Sequence, residues 1–404
     1  MRYRIEKDLL GQRQVPAEAY YGIETLRGKE NFEITKRGIC RQMIKALAIV
    51  KKAAAKANVD ALNIDEKVGK AIMLACDEIL NGRLHGQFVT DLIQGGAGTS
   101  MNMNANEVIA NRANELLGGK KGVYDFVHPN DHVNFGQSTN DVIQTAGKIA
   151  IVKQLKKLQV ELKKLYNAYL NKATEFKDVI KMGRTHLQEA LPLRLGQEFS
   201  AYASALNRDM KRIDVAIEAL LEVNMGATAI GTSLNANEKY RKKVIYYLNK
   251  FSGEQIKPAK DLIDATRNFD TFGQASSTLK LLALNLSKTA SDLRLMASSG
   301  SNGFSEITLP HVQPGSSIMP GKYNPVVPEM VNQVCFYVIG LDVTITKAIE
   351  AGQLELNVFG PIILMSLFEQ ITTLRRATRT FHNLAISGPV SYTHLRAHET
   401  GRNL

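Results

Sequence analysis

IAIVKQLKKLQVELKKLYNAYL, residues 149–170, decides the fold class. Within it Ile151, Leu155, Leu158, Leu162, Leu165 and Tyr169 recur at alternating steps of four and three, an apolar seam on one helix face. The intervening lysines, in KKLQVELKKL at 156–165, fall on the opposite, solvated face. Leu195, Phe199, Tyr202, Leu206, Met210, Ile213, Ile217 and Leu220 repeat the rhythm. A third run covers roughly 270–298, from Phe272 through LKLLALNLSKTASDLRLMA, and a fourth follows Pro328 through MVNQVCFYVIGLDVTITKAIEAG. Strand signals are few and short. Helices this long cannot cover their own seams, so the expectation is a mainly α fold built on a bundle of long helices shared between subunits. An elongated coiled coil is a poorer reading, because polar, Gly-rich segments repeatedly break the pattern.

The whole chain of 404 residues has room for two or three domains, and 44 % apolar with 22 % charged residues suits a globular protein with a proper core. No stretch approaches the roughly 18 apolar residues of a membrane span, and MRYRIEKDLLGQ is too charged for a signal segment, so no membrane partner is expected. Cys40, Cys76 and Cys335 are odd in number and far apart, which reads as reduced thiols in a cytoplasmic protein. The net charge of +12 is compatible with nucleic acid, an anionic surface or a small anionic substrate. Its carriers are dispersed, through KKAAAK at 51–56, KKLQVELKKL and KYRKKV at 239–244, and Trp is absent, so no nucleic-acid partner is expected.

Four interruptions stand out: GGAGTSMNMNANE (95–107), HPNDHVNFGQSTND (128–141), KMGRTHLQEALP (181–192) and PGSSIMPGKYNP (314–325). Each sets hydroxyls, amides and backbone N–H groups beside a long helix, and loops held by rigid helices are where function concentrates. Any one of them reads as ordinary caps and turns; four in one chain point to a composite site. In the last, Gly315 and Gly321 flank Ser316 and Ser317, which suits a lid. It is not a phosphate loop, because Gly315 lies six positions before Gly321 and Tyr323 follows Lys322. Nor is there a G-x-S-x-G elbow to make either serine a hydrolase nucleophile. Thr185 and His186, with Glu329 on the fourth helix, are candidates for a polarised pair. No His/Cys/carboxylate cluster has metal-ligand spacing, so neither a metal nor another cofactor is expected.

GSSIMPGKYNP resembles the signature of the aspartase/fumarase superfamily, Gly-Ser-Ser followed by Pro-x-Lys-x-Asn-Pro. GRTHLQEALPLRLGQE, HPNDHVNFGQSTND and TSMNMNANEVIANRA resemble its other blocks, in its order and spacing, and the likeness runs from about Arg4 to about Ser387. DLLGQRQVPAEAYYGIETLRGKENFEI, NMGATAIGT and VVPEMVNQVCFYVIG lean to the aspartase branch, with Tyr20-Tyr21-Gly22 where fumarases usually carry Tyr-Trp-Gly. ELNVF at 355–359 fits either branch. The resemblance implies reversible deamination of L-aspartate to fumarate and ammonia; a class II fumarate hydratase is the alternative.

The resemblance further implies Ser316 as the base that takes the Cβ proton, its alkoxide stabilised by Lys322 and loop N–H groups. Thr99, Ser138, Thr139 and Ser317 match β-carboxylate donors, Lys322 with Asn324 matches an α-carboxylate clamp, and Asn140 and His186 match groups around the leaving amine. It implies a homotetramer with a central 20-helix bundle and active sites shared between subunits.

Domains are expected at 1–140, a smaller N-terminal helical domain, and 141–388, the central bundle with the catalytic loop. Residues 389–404 are expected to be a non-native tail: the pattern stops near Ser387, GPVSYTHLRAHETGRNL lacks apolar periodicity, and the family's C-terminal domain is read as truncated. That expectation carries a rival, a catalytically impaired helical oligomer. A second departure is Ser233 in GTSLN, where relatives commonly have glycine.

Overall fold

The apolar seams become helices, and the polar interruptions become helix starts, a β-hairpin and loops beside them. The computed structural model describes residues 2–298, 302–388 and 391–392, and its helices dominate as expected. The chain divides into two compact units: the first takes Met1–Lys153, Ile217–Gly273 and Thr344–Leu367, the second Gln154–Ala216, Gln274–Val343 and Phe368–Leu404.

The first unit opens with an antiparallel hairpin of β1 (Tyr3–Asp8) and β2 (Gly11–Pro16), then α1 (Ile23–Asn31), α2 (Arg41–Asp60), α3 (Glu66–Leu80) and α4 (Thr99–Leu116). Asp65 caps α3 by accepting from Lys67 N at 2.7 Å, the usual use of an aspartate at that position. Helix α4 is buried on most of its faces although it is rich in asparagine. Asn104 accepts from Val89 N and donates to Gln87 O, Asn111 donates to Tyr20 O, and Asn114 donates to Val127 O. These amides satisfy loop backbone groups that would otherwise be buried without partners. Glu107 does the same for α1, accepting from Gly22 N, Glu24 N and Thr25 N, and its burial pushes its pKa up to about 7.

Helix α5 (Thr139–Glu175) is 37 residues long and holds the 149–170 stretch. All six of its seam residues, from Ile151 to Tyr169, are buried. The boundary expected after residue 140 falls within its first turn. A second hairpin follows, β3 (Ile180–Thr185) and β4 (Gln188–Arg194), then α6 (Leu195–Leu220), α7 (Glu238–Ser252), α8 (Leu262–Arg267), α9 (Asp270–Met296), α10 (Val326–Glu350) and α11 (Gly360–Phe381). Pro328 is accommodated in the first turn of α10, where no backbone donor is needed.

In the second unit α5, α6, α9, α10 and α11 form the bundle, cross-linked by polar side chains as well as by its apolar core. Tyr169 packs on Phe199, Asn285 donates to Asp209, Asn332 donates to Ser287 O, and Arg379 pairs with Glu161. The three cysteines are free: Cys76 on α3 and Cys335 on α10 are buried, Cys40 partly so. Of the tail, Ser391–Tyr392 pair through the backbone with Ile307–Thr308; the expectation for the rest of residues 389–404 lies outside the described residues.

Candidate active site

The residues singled out in the sequence fall into two sets, one in each unit. Thr99, Ser138, Thr139 and Asn140 belong to the first; Thr185, His186, Ser316, Ser317, Lys322, Asn324 and Glu329 belong to the second.

In the first unit two long helices begin side by side. Thr99 opens α4, its hydroxyl donating to Gly96 O at 2.7 Å, and Thr139 opens α5. Gly98, at φ +96°, lets them meet: a Cβ there would lie 3.1 Å from the Ile143 side chain in the first turn of α5. Unpaired N–H groups and the aligned peptide dipoles make such ends hospitable to a carboxylate. Asn102 links the two by donating to Thr139 Oγ1 at 3.3 Å and to Asn134 Oδ1 at 3.2 Å. Ser138 Oγ accepts from Asn140 N, and Asn140 Nδ2 donates to Ala229 O at 2.6 Å.

Beneath this turn lie two buried charges that the sequence did not single out. Asp141 accepts from Ser138 N at 2.9 Å and from Gly226 N and Thr228 N at 3.1 Å, so one carboxylate fixes both the turn and the 224–229 loop. Burial raises its pKa to about 6, against the pull of those N–H groups and of Lys51. Lys51 donates to Asn134 Oδ1 at 2.8 Å and Gln137 Oε1 at 3.0 Å, and desolvation pushes its pKa down to about 7. A signal existed: Ile44, Leu47, Lys51, Ala54 and Asn58 follow helical steps of three and four, placing Lys51 on the apolar face.

In the second unit, KMGRTHLQEALP is a β-hairpin. Thr185 and Gln188 close it, and His186 and Leu187 form its turn at φ +56° and +61°. Two successive left-handed residues without glycine or asparagine cost about 1–2 kcal/mol each, the kind of strain found at functional sites. His186 is exposed at this tip. Glu329, the other group considered for a polarised pair with His186, faces Arg294 within this chain at 3.7 Å.

The segment 314–325 is an irregular loop closed at its neck. Gly315 N donates to Lys322 O and Asn324 Nδ2 to Gly315 O, both at 2.9 Å. A Cβ on Gly315 would approach Lys322 O to 2.4 Å, so only glycine allows this closure. Ser316 Oγ accepts from Ile318 N at 3.2 Å and Met319 N at 3.1 Å. Two backbone donors aimed at one hydroxyl oxygen favour its anionic form. His311 stacks on Tyr323 with ring centroids 3.8 Å apart. Lys322, Asn324 and Tyr323 line a cavity of about 550 Å³ together with Arg294, Ser298 and His311. Among the described residues no three His, Cys, Asp or Glu side chains gather as a metal-binding group.

Known proteins resemble this arrangement along almost its full length. A family model described as lyase matches residues 11–340. Aspartate ammonia-lyase of Bacillus subtilis (strain 168) is 54 % identical over 386 residues, 96 % of this chain and 81 % of the relative. Aspartate ammonia-lyase of Escherichia coli (strain K12) is 49 % identical over 388 residues, 95 % and 81 %. Among solved structures, the fumarate lyase:delta crystallin from Brucella melitensis bound to cobalt superposes with a TM-score of 0.96 at 46 % identity, covering 98 % of this chain and 87 % of that one. A recombinant class II fumarase from Schistosoma mansoni gives the same TM-score and coverage at 35 % identity.

Proposed function

Since the chain belongs to the lyase family, within the aspartase/fumarase superfamily, we propose that it is a carbon–nitrogen lyase converting L-aspartate reversibly to fumarate and ammonia. The observation that carries this reading is Ser316, whose oxygen receives two backbone N–H groups on a loop with glycine hinges. In the proposed reaction its alkoxide takes the Cβ proton of aspartate. The electron pair moves into the β-carboxylate, giving an enediolate with two negative charges, and then returns to form the Cα–Cβ double bond as ammonia leaves Cα.

Stabilising the enediolate is the main task, because charge develops there only in the transition state. Thr99, Ser138, Thr139 and Ser317 are assigned to it; three of these lie at or next to the starts of α4 and α5, where the helix dipoles add to the hydroxyls. Lys322 and Asn324 are assigned to the α-carboxylate, and Asn140 and His186 to the surroundings of the amine. Thr185, the last residue of its strand and next to His186, is assigned to substrate binding, and Glu329 is assigned a supporting place beside Arg294.

A cytoplasmic homotetramer with shared sites completes the proposal. Phe336 is 63 % exposed and Val343 59 %, both on α10, which, against the expectation that no stretch approaches a membrane span, is long and apolar enough by composition to cross one. Large apolar faces on a helix of a bundle are better covered by another copy of the chain than left in water.

Absorbance in the fumarate band, with L-aspartate in one cuvette and L-malate in another, tests the reading. Fumarate from aspartate is expected, with Ser316→Ala lowering kcat at least about 100-fold as for loss of a general base. Fumarate from malate alone would move the assignment to a hydratase. Full activity in Ser316→Ala would remove the serine from the role of base.

A further inference from the structure

One cluster of buried charge in the second unit has no part in the chemistry described so far. Lys181 Nζ lies 3.0 and 3.1 Å from the two carboxylate oxygens of Glu198, 2.8 Å from Glu306 and 3.3 Å from Met296 Sδ. Arg184 also pairs with Glu306, and its guanidinium sits 4.2 Å over the Phe304 ring. The side chains of Lys181 and Glu306 are only 8 % and 10 % exposed. Two cations and two anions cancel, so the cluster attracts no ligand of its own. Nor is it an efficient source of stability, because desolvating four charges largely offsets their attraction. What it does achieve is a fixed arrangement of the elements that carry it.

Two of those elements lead into the second unit's candidate groups. Lys181 and Arg184 sit on β3, which ends at Thr185, one residue before His186. Glu198 is in the first turn of α6 and Met296 ends α9. Glu306 precedes Ile307–His311, which line the wall of the cavity shared with Lys322 and Asn324. Ser316 follows ten residues after Glu306. We propose that Glu306 is a positioning residue: through Arg184 and Lys181 it locks the root of the lid to the strand that presents His186, so that each of these two loops is held in a fixed orientation in whichever shared site it enters. This rests on the reading of Ser316 as base in a lyase.

The test uses Glu306→Gln, which keeps the shape and removes the charge, with Glu306→Asp and Arg184→Gln beside it. Misplacing a base by about an ångström costs rate far more than binding, so kcat for aspartate is expected to fall about 10- to 100-fold with KM nearly unchanged. Glu306→Asp should recover part of that loss. The double variant Arg184→Gln/Glu306→Gln should be little worse than Glu306→Gln alone, because both break one latch. Hydrogen exchange of residues 311–324 should quicken in Glu306→Gln. An unchanged kcat, additive losses, or a rate that merely follows the folded fraction would overturn the proposal. If Glu306→Gln does not fold, Arg184→Gln carries the same expectations. If the wild-type protein makes no fumarate from aspartate, the lyase reading fails, and unaltered exchange at 311–324 would sink the latch separately.

Discussion

The 134–141 turn and the 314–325 loop both carry hydroxyls and amides, yet they are built in opposite ways. The turn rests on a buried lysine and a buried aspartate, and its side chains are tied to α2, α4 and the 224–229 loop of the first unit. The loop is shaped by bonds among its own residues, with Ile318 84 % exposed at its tip. Groups that hold developing charge work best when they do not have to reorganise, so a rigid, prepaid turn suits the carboxylate donors. A base that must meet and release substrate suits a segment able to move. In the proposed reaction, most of the stabilisation of developing charge and the removal of the proton thus fall to regions that are anchored differently.

That contrast can be broken most directly at Asp141. Asp141→Ala would strand two buried N–H donors and one partly buried one, each buried loss costing about 1–3 kcal/mol, so a stability loss of about 2 kcal/mol or more is expected in urea unfolding. The matching truncation in the loop, Ile318→Ala, should shift the same transition by less than about 0.5 kcal/mol. Equal losses would show that the two regions are not differently anchored.

The next largest effect is in pH. Lys51 has a folded pKa lowered from 10.5 to about 7, so the unfolded chain takes its proton more readily. Its contribution to stability is therefore complete above about pH 10.5 and is lost as pH falls towards 7, at up to about 1.4 kcal/mol per unit. Asp141 and Glu107, raised to about 6 and about 7, run the other way, their contributions being lost as pH rises through those values. Unfolding free energies of Lys51→Met and the wild type between pH 7 and 10 check this: the variant should show a flatter rise. An identical slope would mean that Lys51 is not the group that titrates.

The smallest expected effect sharpens the comparison from the side of the 224–235 loop, which supports the turn. Ser233 has φ +59°, a left-handed conformation that glycine adopts freely. Ser233→Gly should stabilise by up to about 1 kcal/mol despite losing the Arg241 contact to its hydroxyl, read as a raised Tm. A lowered Tm would mean that the hydroxyl matters more than the backbone.

Different parts of this molecule were legible to different degrees. The seam from Ile151 to Tyr169 could be read directly, because period and burial coincide in a helix packed on one side. The hydroxyl and amide blocks could be read as a composite site, since their residue types are unusual beside long helices. The 180–194 hairpin could not: its turn is His186-Leu187 and lacks the glycine or asparagine that signals such a turn. Lys51 was hidden in KKAAAK, where a lysine reads as surface unless its helical phase is followed back to Ile44. Asp141 looked like an ordinary helix-start acid, and only the folded 224–229 loop reveals its second set of partners. Supports of this kind are tertiary, so no local pattern records them.

The buried cysteines turn the chain into its own stopwatch. Cys76 lies in the first unit and Cys335 in the second, and burial raises the pKa of both thiols, the latter to about 12. A soluble thiol reagent can therefore label either one only when the helix around it opens. The two labelling half-times would time the fluctuations of α3 and of α10 independently, without any foreign probe.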